Sequence, residues 1–140
     1  MFHLPARRSR RIALLLLTAF FVVAGVNHVA NPDFYLRIMP PYLPAHRELV
    51  LLSGLFEVLG GLAVLLPAVR ALAGWGLMLL LLAVFPANVH MALHPEQFPS
   101  VPAFALYVRL PLQIVFIAWT YWATRPEAAA GAPGGRVSAA

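Results

Sequence analysis

An all-α integral membrane protein, with four helices packed up-down-up-down in one bundle, is the fold class this 140-residue sequence predicts. Hydrophobic residues make up 61% of the chain and charged residues only 11%, and the apolar residues gather in four long runs. A water-soluble domain of this size needs far more polar surface. The runs cover 12–29, 49–66, 71–93 and 104–124. Each is near the length of about 20 residues with which a helix crosses the hydrocarbon core. Residues 1–11 read as a basic cytoplasmic N-terminus, 12–124 as the four-span domain, and 125–140 as a disordered cytoplasmic tail poor in anything to bury.

The first run follows Arg7, Arg8, Arg10 and Arg11. The ten lysine-plus-arginine positions are all arginine, and a formal charge of +5 raises nucleic-acid binding as one reading. Four of the ten stand directly before an apolar run, where they act as an orientation signal. No nucleic-acid fold signature or basic patch interleaved with aromatics accompanies them, so no nucleic-acid partner is expected. Ser9-Arg10-Arg11-Ile12 has the look of a twin-arginine leader. A retained helix is the better reading, because Asn27 and His28 stand at its far end and three more runs follow.

Arginine counting sets the orientation. With the N-terminus inside, the cytoplasmic flanks hold Arg7, Arg8, Arg10, Arg11, Arg70, Arg125 and Arg136, against Arg37 and Arg47 outside. That asymmetry predicts a multi-pass protein of the bacterial inner membrane with both termini cytoplasmic. The segment 30–46 then lies outside and carries Pro32, Pro40, Pro41 and Pro44. Phe34, Tyr35 and Ile38 are expected in a short interfacial turn. Pro40-Pro41-Tyr42-Leu43-Pro44 is expected as a stiff lid, with Phe34, Pro40 and Leu43 as its covering residues.

The second run holds Glu57 near its middle. A charge at that depth costs at least about 2.5–3.5 kcal/mol and marks a functional position by default. Ser53, Gly54, Gly60 and Gly61 lie three or four residues away, so small residues line its helix face and allow close approach of a neighbour. Pro67-Ala68-Val69-Arg70 forms a tight turn that makes the second and third runs antiparallel neighbours.

The third run carries Pro86 and Asn88, and the fourth Arg109, Pro111 and Gln113. Each proline removes one helix hydrogen bond, freeing carbonyls at about Leu82 and Tyr107. At about 1.5 Å rise per residue, Glu57 and Gln113 lie at similar depth, with Arg109 about 6 Å nearer the outside. An Arg109–Glu57 ion pair is therefore within reach if the second and fourth helices face each other. Asn27, His28, Asn88 and Gln113 complete a polar column open to the outside. A faint internal repeat is also visible: Asn27 echoes Asn88, and Ser53 and Glu57 echo Arg109 and Gln113.

Cysteine is absent, which excludes disulfides, thiolate catalysis and iron–sulfur ligation. His90 and His94 are four apart, a spacing compatible with a metal, but only the loop residue Glu96 is at hand as a third ligand, so no metal is expected. Phosphate loops, Ser–His–Asp order and dinucleotide glycine fingerprints are missing as well.

Five stretches resemble the DoxX-like family of small four-helix bacterial membrane proteins: FVVAGVNH at 21–28, MPPYLP at 39–44, SGLFE at 53–57 with Gly60-Gly61, VFPANVHM at 84–91 and RLPLQ at 109–113. That family takes its name from a small subunit associated with a quinone-linked oxidase and thiosulfate oxidation in an archaeon. The resemblance implies redox work beside the quinone pool, with a quinone as the bound molecule and a membrane or periplasmic oxidoreductase subunit as partner. Self-association in the bilayer is a further option. The expectation is an outward-facing pocket in which Arg109 holds an acceptor oxygen and Glu57 holds Arg109 or exchanges a proton. Asn27, His28, Asn88 and Gln113 would orient the ligand. A small-solute transporter, or an assembly factor whose polar core is only structural, would use the same residues.

Overall fold

The computed structural model describes residues 4, 5 and 7–126. Residues 127–140 of the tail expected at 125–140, the first three residues and residue 6 lie outside the described part. Among the described residues the protein is all-helical and has no strand. Helices α1 (Arg8–Ala30), α2 (Pro32–Ile38), α3 (His46–Ala63), α4 (Arg70–Leu93) and α5 (Ala103–Thr124) follow one another, with a single 3-10 turn at Pro95–Gln97 before α5.

α1, α4 and α5 are long and apolar enough to cross a membrane. α3 is not among them, although the length and hydropathy of the run 49–66 predict a span. It begins at His46, three residues before the apolar run, and ends at Ala63, so its 18 residues include Arg47, Glu48 and Glu57. The last residues of the run, Val64 to Leu66, are turn instead of helix. Arg70 closes that turn by donating from Nε to the Val64 carbonyl at 2.8 Å and from a terminal nitrogen to the Leu65 carbonyl at 3.3 Å. These are helix-end acceptors with no intrahelical donor, so the guanidinium caps α3.

The four long helices pack in a ring, α1 on α3, α3 on α4, α4 on α5 and α5 on α1. Gly61 of α3 lies against Phe21 of α1, while Gly54 lies against His28. On the other pair, Gly74 abuts Thr124 and Met91 meets Arg109. α5 returns beside α1, with Phe20 and Phe116 stacked at 4.4 Å and Arg10 donating to the Arg125 carbonyl at 3.0 Å.

Two apolar clusters fill the interior. One gathers Leu14, Leu17 and Phe21 with Val64, Leu77, Leu81 and Ala123; the other gathers Ile38, Ala87, Met91, Phe98 and Leu106. The outer faces are apolar too: Val23, Leu72, Leu79 and Ile114 are each more than 60% exposed. A protein surface of this kind suits hydrocarbon, where exposing leucine and isoleucine costs nothing.

Boundaries shift at both ends. α1 begins at Arg8, inside the segment expected to be a basic extension, and Arg125 packs against Trp75 and Tyr121 instead of opening a disordered tail. The α2 helix occupies the expected interfacial turn, with Pro32 at its start, where a missing N–H costs nothing.

Candidate functional site

α1 and α3 cross at Gly25 and Gly54. A Cβ on Gly54 would sit 2.8 Å from the Gly25 carbonyl oxygen, and one on Gly25 would run into the Gly54 carbonyl. The two backbones therefore touch, and only glycine on both sides permits it. This contact sets His28, one turn beyond Gly25, beside Glu57, one turn beyond Gly54.

His28 Nδ1 lies 3.2 Å from Glu57 Oε2 and 2.9 Å from the Ala24 carbonyl oxygen. A carbonyl only accepts, so the shorter contact puts the proton on Nδ1 and directs it to Ala24. Glu57 Oε2 is then within ion-pair distance of the ring yet has no hydrogen-bond partner, and it is buried. An acceptor left in that state costs free energy until a donor reaches it. The other face of the imidazole is covered by Tyr35, stacked at 3.7 Å between ring centroids. Tyr35 is held in turn by Asn27, which donates to its hydroxyl oxygen at 2.8 Å, and Asn31 donates to Asn27 Oδ1 at 2.6 Å.

The α4–α5 pair supplies the amides. Asn88 Nδ2 donates to Gln113 Oε1 at 2.6 Å, and Gln113 Nε2 donates to the Leu81 carbonyl. Leu81 precedes Leu82, whose helical donor Pro86 removes. The carbonyl that Gln113 meets is therefore the neighbour of the one Pro86 frees and not the freed carbonyl itself. Arg109 is half-buried, and its hydrogen bond goes to the Met91 sulfur at 3.4 Å, a weak acceptor.

Arg109 does not pair with Glu57. The sole ion-pair partner of Glu57 among the described residues is His28, because the helix beside α3 on that face is α1, while α5 packs on α4 and α1. Rise per residue sets the two charges about 6 Å apart in depth, within reach of an arginine stem, but carries no information about which helices adjoin.

These groups nonetheless border one space. A cavity of about 320 Å³ is lined by His28, Glu57, Asn88, Arg109 and Gln113 together with Tyr35. It sits between the apolar clusters, with Leu81 of one and Ala87 of the other in its wall. Asn27 touches it only through Tyr35. A second cavity of about 260 Å³, almost wholly apolar, shares His28 and Tyr35 with the first and is bordered by Leu43, Ser53 and Phe56.

Of the residues expected to form a lid, Leu43 lines this second cavity and Pro40 is buried, its carbonyl bonded to His46 Nε2 at 3.0 Å. Phe34 borders neither cavity and packs edge-on against Tyr35 at 5.3 Å. Tyr35 is the covering residue the sequence reading did not single out. Its signal was its position eight residues after Asn27, legible only once α2 is known to fold back. His90 and His94 stand with ring centroids 4.6 Å apart, His94 beside Glu96 at 3.3 Å, and no group of three possible metal ligands forms among the described residues.

No curated protein and no solved structure matches the chain. A protein-family profile does, over residues 17–124, from the middle of α1 to the end of α5. The second half of α1, all of α3, α4 and α5 and every residue of the polar cavity fall within that stretch, and the chain belongs to the family described as a domain of unknown function, DUF8561.

Proposed function

We propose that the polar cavity binds a small, uncharged molecule bearing one or two carbonyl or hydroxyl oxygens, within a four-span bacterial inner-membrane bundle of up-down-up-down topology. One observation carries this reading. A single cavity gathers a carboxylate, an imidazole, a guanidinium and two amides, and one buried carboxylate oxygen there has no hydrogen-bond partner. Arg109, whose hydrogen bond among the described residues goes to a thioether, is the donor for a ligand carbonyl. Glu57 is the acceptor for a ligand hydroxyl. A quinone headgroup in its oxidised and reduced forms offers those two oxygens in turn, and the DoxX-like resemblance favours it, with a membrane or periplasmic oxidoreductase as partner.

In this reading α3 crosses as the fourth span, with Arg47 and Glu48 at the interface. The arginine asymmetry supports cytoplasmic termini and an outward-facing cavity. Reporter fusions after His46 and Gln97 should report the outside and one at Arg125 the inside; a cytoplasmic signal after His46 would invert the cavity.

The binding test is titration of a quinone analogue against wild type and Arg109→Leu, each checked for folding. A hydrogen bond to a charged donor is worth about 1.5–3 kcal/mol, so the variant should bind about ten- to a hundredfold more weakly. No binding in wild type, or none lost in the variant, makes the polar groups packing devices, as in an assembly factor. Solute uptake into liposomes that depends on Glu57 makes the protein a transporter instead.

A further inference from the structure

The opposite end of the bundle holds a second site that the ligand reading does not use. Arg125, the first residue past α5, lays its guanidinium over Trp75 at 4.6 Å and Tyr121 at 4.9 Å. A terminal nitrogen donates to the Ala71 carbonyl at 3.4 Å, but its Nε is buried and has no hydrogen-bond partner. Arg125 and Arg70 line one cavity of about 280 Å³, with Ala71 and Thr124 between them and Leu4 and Pro5 at its edge. Ala71 lies in the first turn of the 24-residue α4, whose positive dipole end adds to the two guanidinia. Among the described residues, no carboxylate lines this space. The acidic side chains among the described residues are Asp33, Glu48, Glu57 and Glu96: three in or beside the connections at the other end, and one in the polar cavity. Glu127 follows in the sequence, outside the described residues.

We propose that this cavity binds the phosphate of an anionic phospholipid from the adjoining leaflet. Arginine forks match phosphate oxygens, and basic pockets between membrane helices take anionic headgroups. Inorganic phosphate shares that chemistry. The setting favours the lipid: Trp75, Tyr121 and Trp122 are each about half exposed, the disposition of aromatics at headgroup depth. Arg10 stands over Trp122 at 5.6 Å, adding a third cation at the same level.

The test reconstitutes the full chain in bilayer discs of phosphatidylcholine containing phosphatidylglycerol and reads the retained lipids by native mass spectrometry. Phosphatidylglycerol should be enriched at least about fivefold, the scale of one arginine near an anionic headgroup. Raising salt should erode the enrichment in the wild-type protein itself, a readout that needs no variant. Arg125→Gln should abolish most of it, while Arg47→Gln, at the other end, leaves it intact. Equal retention of both lipids overturns the proposal, as does enrichment indifferent to salt or, in a folded Arg125→Gln protein, unchanged. Thermal protection of the detergent-solubilised protein by inorganic phosphate, without any lipid preference, overturns the lipid as the source and leaves a free-anion site.

Discussion

The α1–α3 and α4–α5 pairs solve the same problem, placing polar groups deep in an apolar protein, by opposite means. α1 and α3 carry no proline and meet backbone to backbone at Gly25 and Gly54. Their close approach brings His28 to Glu57 but leaves a carboxylate oxygen without a hydrogen bond. α4 and α5 each contain a proline, at Pro86 and Pro111, and their side-chain amides satisfy one another and the Leu81 carbonyl. An acceptor without a donor is open to a ligand, whereas amides bonded to one another hold two helices together. Under the binding reading proposed above, the half of the cavity that takes a ligand hydroxyl is the half built on glycine.

If that contrast holds, the largest effect comes from filling the glycine contact. Gly54→Leu drives side-chain atoms into the Gly25 carbonyl and the His28 Cβ, both within 3 Å of the first added carbon. The usual overpacking penalty of about 1–3 kcal/mol is a lower bound, because backbone cannot step aside as a rotamer can. Gly76→Ala in α4 meets nothing within 4 Å and should be neutral or stabilise by up to about 1 kcal/mol. Thermal unfolding in micelles compares the two; equal shifts would dissolve the distinction between the crossings.

A middle-sized effect tests the amides that hold α4 to α5. Gln113→Ala removes the bond to Asn88 and the cover on the Leu81 carbonyl. Single interhelical bonds in membranes average about 0.6 kcal/mol and reach about 1.7, so a loss of roughly 1–2 kcal/mol is expected. A change near zero would mean that the amides contribute no net stability.

The smallest effect is a coupling energy. In a double-mutant cycle, His28→Asn and Glu57→Gln should deviate from additivity by about 0.5–1 kcal/mol, while Glu57→Gln with Arg109→Gln should add within about 0.3–0.5. Strong coupling in the second cycle would restore a direct contact between the two charges.

Several features of the site were legible in the sequence for physical reasons. Glu57 stood out because charge in an apolar run is expensive, and the glycines around it because small residues permit approach. Pro86 announced an opened backbone, and the acceptor that Gln113 meets lies one residue from Leu82. The residues of the faint repeat do not make equivalent contacts: Gln113 contacts Asn88, whereas Glu57 contacts His28 and not Asn27. What could not be read was adjacency around the ring. Arg109 was assigned to Glu57 on depth and reach, and the packing gave it Met91.

By itself the sequence determined an all-helical chain of long apolar runs, a carboxylate inside one of them and an arginine-heavy end; that three of the four runs form helices long and apolar enough to cross a membrane came from the structure. The first three follow from local terms: residue hydrophobicity and backbone hydrogen bonding in an apolar run. Tertiary structure alone decided that Glu57 faces His28, that Tyr35 folds back to cover that ring, and that Arg125 turns inward beside Arg70. The cause lies in contacts between segments far apart in the chain. Which helix lies beside which depends on where small side chains let two backbones meet, a property of pairs of surfaces that no single stretch of sequence contains.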